Sequence, residues 1–362
     1  MLAELIQDIG DSWFSLIVDE TTDNTTIKHM AVLIKYYSES QGKYIVDFLC
    51  ILGTPKTTHD VLYNVLVEFM DKVGLRKDRL MALGTDGAAN LCGPHHSLFS
   101  LLKKDCPNLH LVKCICHGLY KCSSKASAAL PGSLEALLRD SRNWFRNSAC
   151  RKYEYQQEYQ ALTQYGADPP KLVKIGDTRW LSWHSAVRAH TEQYDFLARH
   201  FKSIADKDPQ KKMPLAHTLA AYHSDRSHLL YLTFLRPILK EAVQMNTTFQ
   251  QSLGDFSSVY IDLKKYVNSL AARIIKPQAL VQSQPGTMLR LSELQALRLA
   301  LQRPGVFKEL NMIDYGSNFY QTAVSVNLPP ERLDAVKKHC ADFLYKIHLR
   351  ASGPSAFLYR SC

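Results

Sequence analysis

The chain has 362 residues, of which 46% are hydrophobic and 22% are charged, and its formal net charge is +10. This composition excludes a disordered chain, and no apolar run reaches the about 18 residues that a membrane-spanning helix requires. The basic balance favours an anionic partner such as nucleic acid, although many basic proteins bind none. Because Glu4 and Asp8 stand where a secretory signal needs basic residues, we expect an intracellular protein whose nine cysteines are reduced.

The N-terminal third predicts alternating strands and helices. Five apolar runs of strand length occur, at 13–18, 31–37, 44–52, 79–84 and 110–114. Three helical patterns follow the third, fourth and fifth runs, at 61–73, at 97–104 and from 117 onward. The resulting order, β-β-β-α-β-α-β-α, is that of the RNase H-like mixed sheet, in which the first and fourth strands are parallel neighbours. We therefore predict an α/β fold of this kind.

From residue 131 onward the pattern is mostly helical. Helices are predicted at 131–146, 153–162, 181–204, 227–253, 255–275 and 331–350. Asp168-Pro169-Pro170 interrupts the pattern, because proline cannot continue a helix, and 207–214 has the composition of a linker. Gly254 is the predicted turn of a long helical hairpin.

Two polar clusters follow predicted strands, Asp19 to Asp23 after the first strand and Thr85 to Asn90 after the fourth. Neighbouring strands are about 4.8 Å apart, so acids at their carboxyl ends can share divalent ions. Two-metal phosphoryl transfer needs carboxylates that hold ions about 3.5–4 Å apart. An Asp that caps a turn explains either cluster alone. Their joint position at the expected strand ends favours a metal site formed by Asp19 and Asp86.

Two further motifs each allow two interpretations. In Cys114-Ile115-Cys116-His117 the residue types fit zinc, but the short spacing favours Cys114 and His117 as supports beside the acids. In the segment 177–183, Arg179 and Trp180 can contact a phosphate and stack on a base. Alternatively, Trp180 is a buried anchor and Arg179 belongs to an ion pair.

Taken in order, these clusters resemble the motifs of the hAT superfamily of cut-and-paste DNA transposases. More narrowly, they are similar to hAT-like proteins with a domain of unknown function beside a dimerisation region. The resemblance covers about residues 2–276 and rests on SLIVDETTD (15–23), DGAANLCG (86–93, with Leu91 where Met is usual), Cys114-x-x-His117 and TRWLS (178–182). Each motif alone is weak, whereas four in order are specific.

The resemblance implies a role for each motif. Asp19 and Asp86 would be the first two acids of an Asp-Asp-Glu site for Mg²⁺ or Mn²⁺, supported by Cys114 and His117, and Trp180 would stack on a base displaced at the transposon end. It also implies three parts: an RNase H-like core at 1–130, an all-helical insertion domain at 131–327, and the start of a C-terminal part at 328–362.

The third acid of the family, a Glu followed by Arg-x-Phe-Ser, is not found here. Glu241 and Glu331 are the nearest candidates, and neither stands in a matching context. The dimerisation region and the N-terminal BED finger are not found either. We therefore expect a truncated, transposase-derived DNA-binding protein that has no catalysis of its own, requires no cofactor and does not bind membranes.

Two other functions remain open. A fragment of an active transposase would use Mg²⁺ or Mn²⁺ to hydrolyse a phosphodiester and transfer the strand, with its Glu in sequence beyond residue 362. A domesticated scaffold would instead bind protein partners or self-associate, although the usual dimerisation region is absent. The resemblance implies a nuclear location, although the sequence contains no clear nuclear-localisation signal. The cytoplasm is the alternative expectation.

Overall fold

The computed structural model describes residues 2–22, 28–163, 166–176, 180–251, 256–279 and 305–351. The described residues up to Gly118 form one compact unit, and those from Leu119 onward form a second. The functional domain boundaries that we predict at 130 and 327 are not tested by this division and stay a prediction.

The first unit contains a five-stranded mixed sheet with the strand order β3-β2-β1-β4-β5. The strands are β1 (Phe14–Thr22), β2 (Lys28–Ser38), β3 (Lys43–Thr54), β4 (Leu80–Thr85) and β5 (His110–Lys113). The first three are antiparallel to one another, whereas β4 is parallel to both β1 and β5. The parallel pairing of the first and fourth strands agrees with the prediction from the sequence.

Helices cover one face of this sheet. The helices that begin in this unit are α1 (Leu2–Ile9), α2 (His59–Val73), α3 (Ala89–Cys92), α4 (Leu98–Asp105) and α5 (Ile115–Ser127). Alternate residues of β1 and β2, such as Leu16 and Val32, share a buried core with Leu62 and Leu66 of α2. This alternation is the two-residue period that a half-covered strand requires. Helix α1 was not predicted from the sequence.

The first strand is longer than its apolar run predicts. The apolar run ends at Val18, but β1 continues to Thr22 because it stays paired with β2, with Asp19 opposite Ala31 and Thr22 opposite Lys28. Asp19 therefore lies inside a strand and not directly after one. Its pairing with β4 has nevertheless ended, since Val18 opposite Thr85 is the last pair between these two strands.

The second unit is helical in the described residues. Its helices are α6 (Gly132–Arg146), α7 (Ala149–Leu162), α8 (Trp180–Glu192), α9 (Tyr194–Lys207), α10 (Pro214–Ser224), α11 (Ser227–Gln251), α12 (Phe256–Ile274), α13 (Ser317–Val326) and α14 (Pro330–Ala351). Helix α11 contacts α8, α12, α13 and α14. None of the helices in the described ranges is long and apolar enough to cross a bilayer.

Two predictions for the helical unit were wrong. The helix predicted over 181–204 is divided into α8 and α9 at Gln193, whose side-chain amide donates to the carbonyl oxygens of Ala189 and Pro170. Helix α10 is not predicted from the sequence, because the predicted linker at 207–214 reaches only its first residue, Pro214, and no element is predicted over 215–226. The predicted turn at Gly254 lies outside the described residues.

Candidate functional site

The two acids that the sequence singles out stand at equivalent positions of adjacent parallel strands. Val18 of β1 pairs with Thr85 of β4, and Asp19 and Asp86 are the next residue of each chain segment. The strands approach closely here: a Cβ atom added to Gly84 would lie 3.3 Å from Cγ1 of Ile17. Glycine at position 84 thus leaves room for the neighbouring strand just before the two acids.

Asp86 starts a tight turn that leads from β4 into α3. Its Oδ1 atom accepts a hydrogen bond from the backbone N–H of Ala88 at 2.8 Å. The Gly87 N–H donates to Oγ1 of Thr85 at 3.2 Å, and Gly87 has a φ of +89°, in the left-handed region that favours glycine. One oxygen of Asp86 therefore caps a turn, as the simpler interpretation of this motif predicts.

The second oxygen of Asp86 faces His117. Its Oδ2 atom lies 4.0 Å from Nε2 of His117, and the two side chains are 33% and 23% exposed. At this distance the two groups attract each other electrostatically when the His117 ring is protonated. His117 thus stands beside Asp86, where the sequence predicts a supporting residue.

Glu20 belongs to the same cluster, although the sequence analysis did not select it as a site residue. The Asn90 side-chain amide donates to Oε1 of Glu20 at 2.6 Å and to the carbonyl oxygen of Thr57 at 2.9 Å. Burial raises the pKa of the Glu20 carboxyl, and the charges of Asp86 and Asp19 raise it further, whereas the Asn90 hydrogen bond lowers it. Glu20 is therefore a third carboxylate within electrostatic reach of the two predicted acids.

The bond between Asn90 and Glu20 joins the two acid clusters. Asn90 lies in the second cluster and Glu20 in the first, 70 residues apart in sequence. Both residues could be noticed in their motifs, but no spacing rule predicts that their side chains meet.

Cys114 connects the start of α5 to the end of β4. Its backbone N–H donates to the carbonyl oxygen of Thr85 at 2.8 Å, one residue before Asp86. A hydrogen bond from the Cys116 thiol is the main cause that lowers the pKa of Cys114 to about 6, and the backbone N–H groups of His117 and Cys116 also lower it. The same contact raises the pKa of Cys116. Cys114 thus holds α5, and with it His117, beside Asp86.

Within the ranges that the structure covers, no three His, Cys, Asp or Glu side chains are arranged to hold a metal ion, which leaves the zinc interpretation of 114–117 without support. Asp19 and Asp86 supply carboxylate oxygens, the ligand type that Mg²⁺ and Mn²⁺ prefer.

The two nearest candidates for the third acid lie in the helical unit. Glu241 accepts hydrogen bonds from the Ser269 hydroxyl at 2.7 Å and from the Arg273 guanidinium at 3.2 Å. Glu331 lies exposed in the first turn of α14.

The structure describes only part of the segment in which the sequence predicts Arg179 and Trp180 as nucleic-acid contacts. Arg179 lies outside them, and Trp180 is the first residue of α8, with no description of its side chain. The neighbouring Ser182 accepts a hydrogen bond from the Gly176 N–H at 2.8 Å. The proposed contacts of Arg179 and Trp180 with nucleic acid stay a prediction.

Comparison with known families gives a match at the N-terminal end. Residues 1–96 match the family DUF4371, described as ZMYM1/FAM200, RNase-like domain. The match covers 96 of the 362 residues and includes α1 to α3, the strands β1 to β4, and the residues Asp19, Glu20, Asp86 and Asn90. This family is related to transposase-derived domains. An RNase-like domain of this type suggests that the matched segment is a nucleic-acid-binding domain.

Proposed function

We propose that this chain is a transposase-derived nucleic-acid-binding protein of the hAT type, with an RNase H-like core that does not cleave nucleic acid by itself. The observation that carries the proposal is the position of Asp19 and Asp86, each one residue beyond the last pair of two parallel strands. Open α/β sheets hold their sites at the carboxyl ends of their strands. The similarity of residues 1–96 to an RNase-like domain includes both acids.

The partner that we propose is DNA, and the compartment that accompanies it is the nucleus. The formal net charge of +10 supports a polyanionic partner, because Lys and Arg that neutralise phosphates release counterions on binding. The hAT origin favours DNA over RNA.

The proposed lack of cleavage rests on the third acid. Asp19 and Asp86 would hold Mg²⁺ or Mn²⁺, and such an ion, when bound, activates a water molecule for attack on a phosphodiester. Neither Glu241, which pairs with Arg273, nor Glu331, which lies exposed on α14, stands in the context that the resemblance requires of that acid. Removal of one member of a catalytic unit usually abolishes most of its activity.

Nicking of supercoiled plasmid in Mg²⁺ or Mn²⁺ tests the catalytic half of this proposal. We expect no metal-dependent nicking by the unaltered chain, by Asp86→Asn, or by the matched control Asp206→Asn, which changes an exposed carboxylate on α9. Nicking that is lost in Asp86→Asn and kept in Asp206→Asn would overturn it.

The second candidate function is metal-dependent phosphodiester cleavage, as in an active transposase. The observation that favours it is the equivalent register of Asp19 and Asp86 together with Glu20, which places three carboxylates within electrostatic reach. The plasmid assay decides between the two candidates. A third function, a protein scaffold, predicts no DNA binding at all. Binding measurements on duplex DNA therefore distinguish it from the first two.

A further inference from the structure

The helical unit contains a cavity that the acid site does not use. It has a volume of about 370 Å³ and lies between the end of α6, the start of α7 and the loop at 168–172, with Gln193 also in its wall. A volume of this size lies in the range of small-molecule and nucleotide sites, about 300–1,000 Å³.

Basic side chains surround this cavity. Arg142 and Arg146 of α6, Lys152 of α7 and Lys171 of the loop line it. In the part of the chain that the structure describes, none of these four cations has a carboxylate within 4.0 Å. Four unneutralised cations around one concave surface create a positive potential that attracts an anion.

A single carboxylate, Asp168, also lines the cavity. Its Oδ1 atom accepts two hydrogen bonds, from the side-chain amides of Gln156 at 2.6 Å and Gln160 at 2.9 Å. Asp168 is thus held by neutral amides and by none of the four cations. The lining keeps a positive balance of three charges, from four cations and one carboxylate.

Most of the remaining wall of the cavity is apolar, and hydrogen bonds hold it in place. Phe145 and Tyr155, with ring centroids 4.9 Å apart, line it together with Leu172 and the Pro169-Pro170 pair. The Tyr155 hydroxyl donates to Oε1 of Gln193 at 2.8 Å, and the Gln193 amide donates to the Pro170 carbonyl at 2.8 Å. These bonds fix the loop to α7 and to the junction between α8 and α9, so a ligand would find the wall already formed.

We propose that this cavity binds one nucleotide unit of single-stranded nucleic acid, with a phosphate at the basic rim and the base against the apolar wall. Single strands fit this chemistry, because an unpaired base can leave the backbone and pack on aromatic and apolar side chains while cations track the phosphates. A base within a duplex is stacked on both sides and cannot enter. The inference goes beyond the proposed function, since it assigns a single-strand contact to the helical unit.

Charge reversal at the rim tests the inference in the full chain. In fluorescence anisotropy with a labelled oligothymidylate, Lys152→Glu/Lys171→Glu should weaken binding by at least about tenfold, since it removes two phosphate contacts and adds repulsion. The matched control is Lys202→Glu/Lys338→Glu, which reverses two exposed lysines elsewhere in the same unit and should change affinity by less than about twofold. Circular dichroism of both variants verifies that each is folded.

Photo-crosslinking locates the bound base independently of affinity. An oligonucleotide with 5-iodouracil should crosslink to peptides that contain 142–156 or 168–172, and free thymidine monophosphate in excess should reduce this product. Equal losses of affinity in both double variants, or crosslinks only outside these segments, would overturn the inference. Displacement of the oligonucleotide by polyglutamate with no crosslink in these segments would favour an acidic protein partner and would also overturn it.

The outcome separates the inference from the proposed function. Duplex DNA binding that is the same in the unaltered chain and in Lys152→Glu/Lys171→Glu, with no single-strand binding by either, refutes the inference alone. Single-strand binding that requires Lys152 and Lys171, with no duplex binding, refutes the proposed duplex partner alone.

Discussion

Lowering the pH below 6 should destabilise the helical unit, because His223 is buried there in its neutral form. Its ring is 1% exposed and stacks on His190 with the ring centroids 5.7 Å apart. Its Nδ1–H donates to the Leu219 carbonyl at 2.8 Å, and its Nε2 atom has no hydrogen-bond partner among the described residues. A proton added at Nε2 would create a buried charge without compensation.

The size of the effect follows from the pKa of His223 in the folded and unfolded chain. Burial lowers the pKa from 6.5 to about 4. As the pH falls below 6.5, the unfolded chain takes up the proton first, so the free energy of unfolding decreases. The decrease is about 2 kcal/mol at pH 5 and reaches about 3 kcal/mol once the pH is below 4. Burial lowers the pKa of His190 as well, which adds to the loss in the same direction.

Urea unfolding followed by circular dichroism at pH 7 and pH 5 measures this loss. His223→Gln keeps an N–H donor for Leu219 but does not titrate, so its stability difference between the two pH values should be smaller than that of the unaltered chain by about 2 kcal/mol. His110→Gln, at an exposed position of β5, is the control and should keep the original pH dependence. Equal pH dependence in all three chains would refute the reasoning.

Three further predictions concern the first unit. Asn90→Ala removes the hydrogen bond that lowers the pKa of Glu20, so the pKa of Glu20 should rise further. An NMR titration of the carboxyl group measures this change, and an unchanged pKa would contradict the hydrogen bond between Asn90 and Glu20. Gly84→Val should lower the unfolding free energy by roughly 1–3 kcal/mol, because the added side chain meets Ile17. Ile17→Ala in the same chain should recover part of that loss. If the double variant instead loses the sum of the two single losses in urea unfolding, the close approach is contradicted. Leu66→Ala, at a fully buried position of α2, should cost roughly 2–5 kcal/mol in the same assay, and a loss below about 1 kcal/mol would contradict its place in the core.

The sheet of the first unit could be predicted from the sequence because its signals are local. Alternating apolar residues mark the strands, and Gly74, at a φ of +79°, ends α2 where the sequence predicts. The extension of β1 through Asp19 could not be predicted, since it depends on pairing with β2 and not on the residues of β1. The division at Gln193 also depends on distant contacts, those with Pro170 and Tyr155.

The candidate site was predictable in part for the same reason. Asp19 and Asp86 could be selected because each follows an apolar run and the strand order makes the runs neighbours. The contact of His117 with Asp86 follows from the short connection between β5 and α5. The link between Glu20 and Asn90 depends on where α3 lies beside the sheet, which no spacing in the sequence encodes.

The affinity of the full chain for duplex DNA, measured as a function of salt concentration, tests the central claim most directly. Each phosphate contact contributes about −0.9 to the slope of log affinity against log salt concentration. A transposase-derived nucleic-acid-binding protein that makes about three or more such contacts should therefore show a slope of about −3 or steeper. No measurable binding at low salt, or an affinity that does not change with salt, would contradict the claim and leave a protein-binding scaffold as the better account.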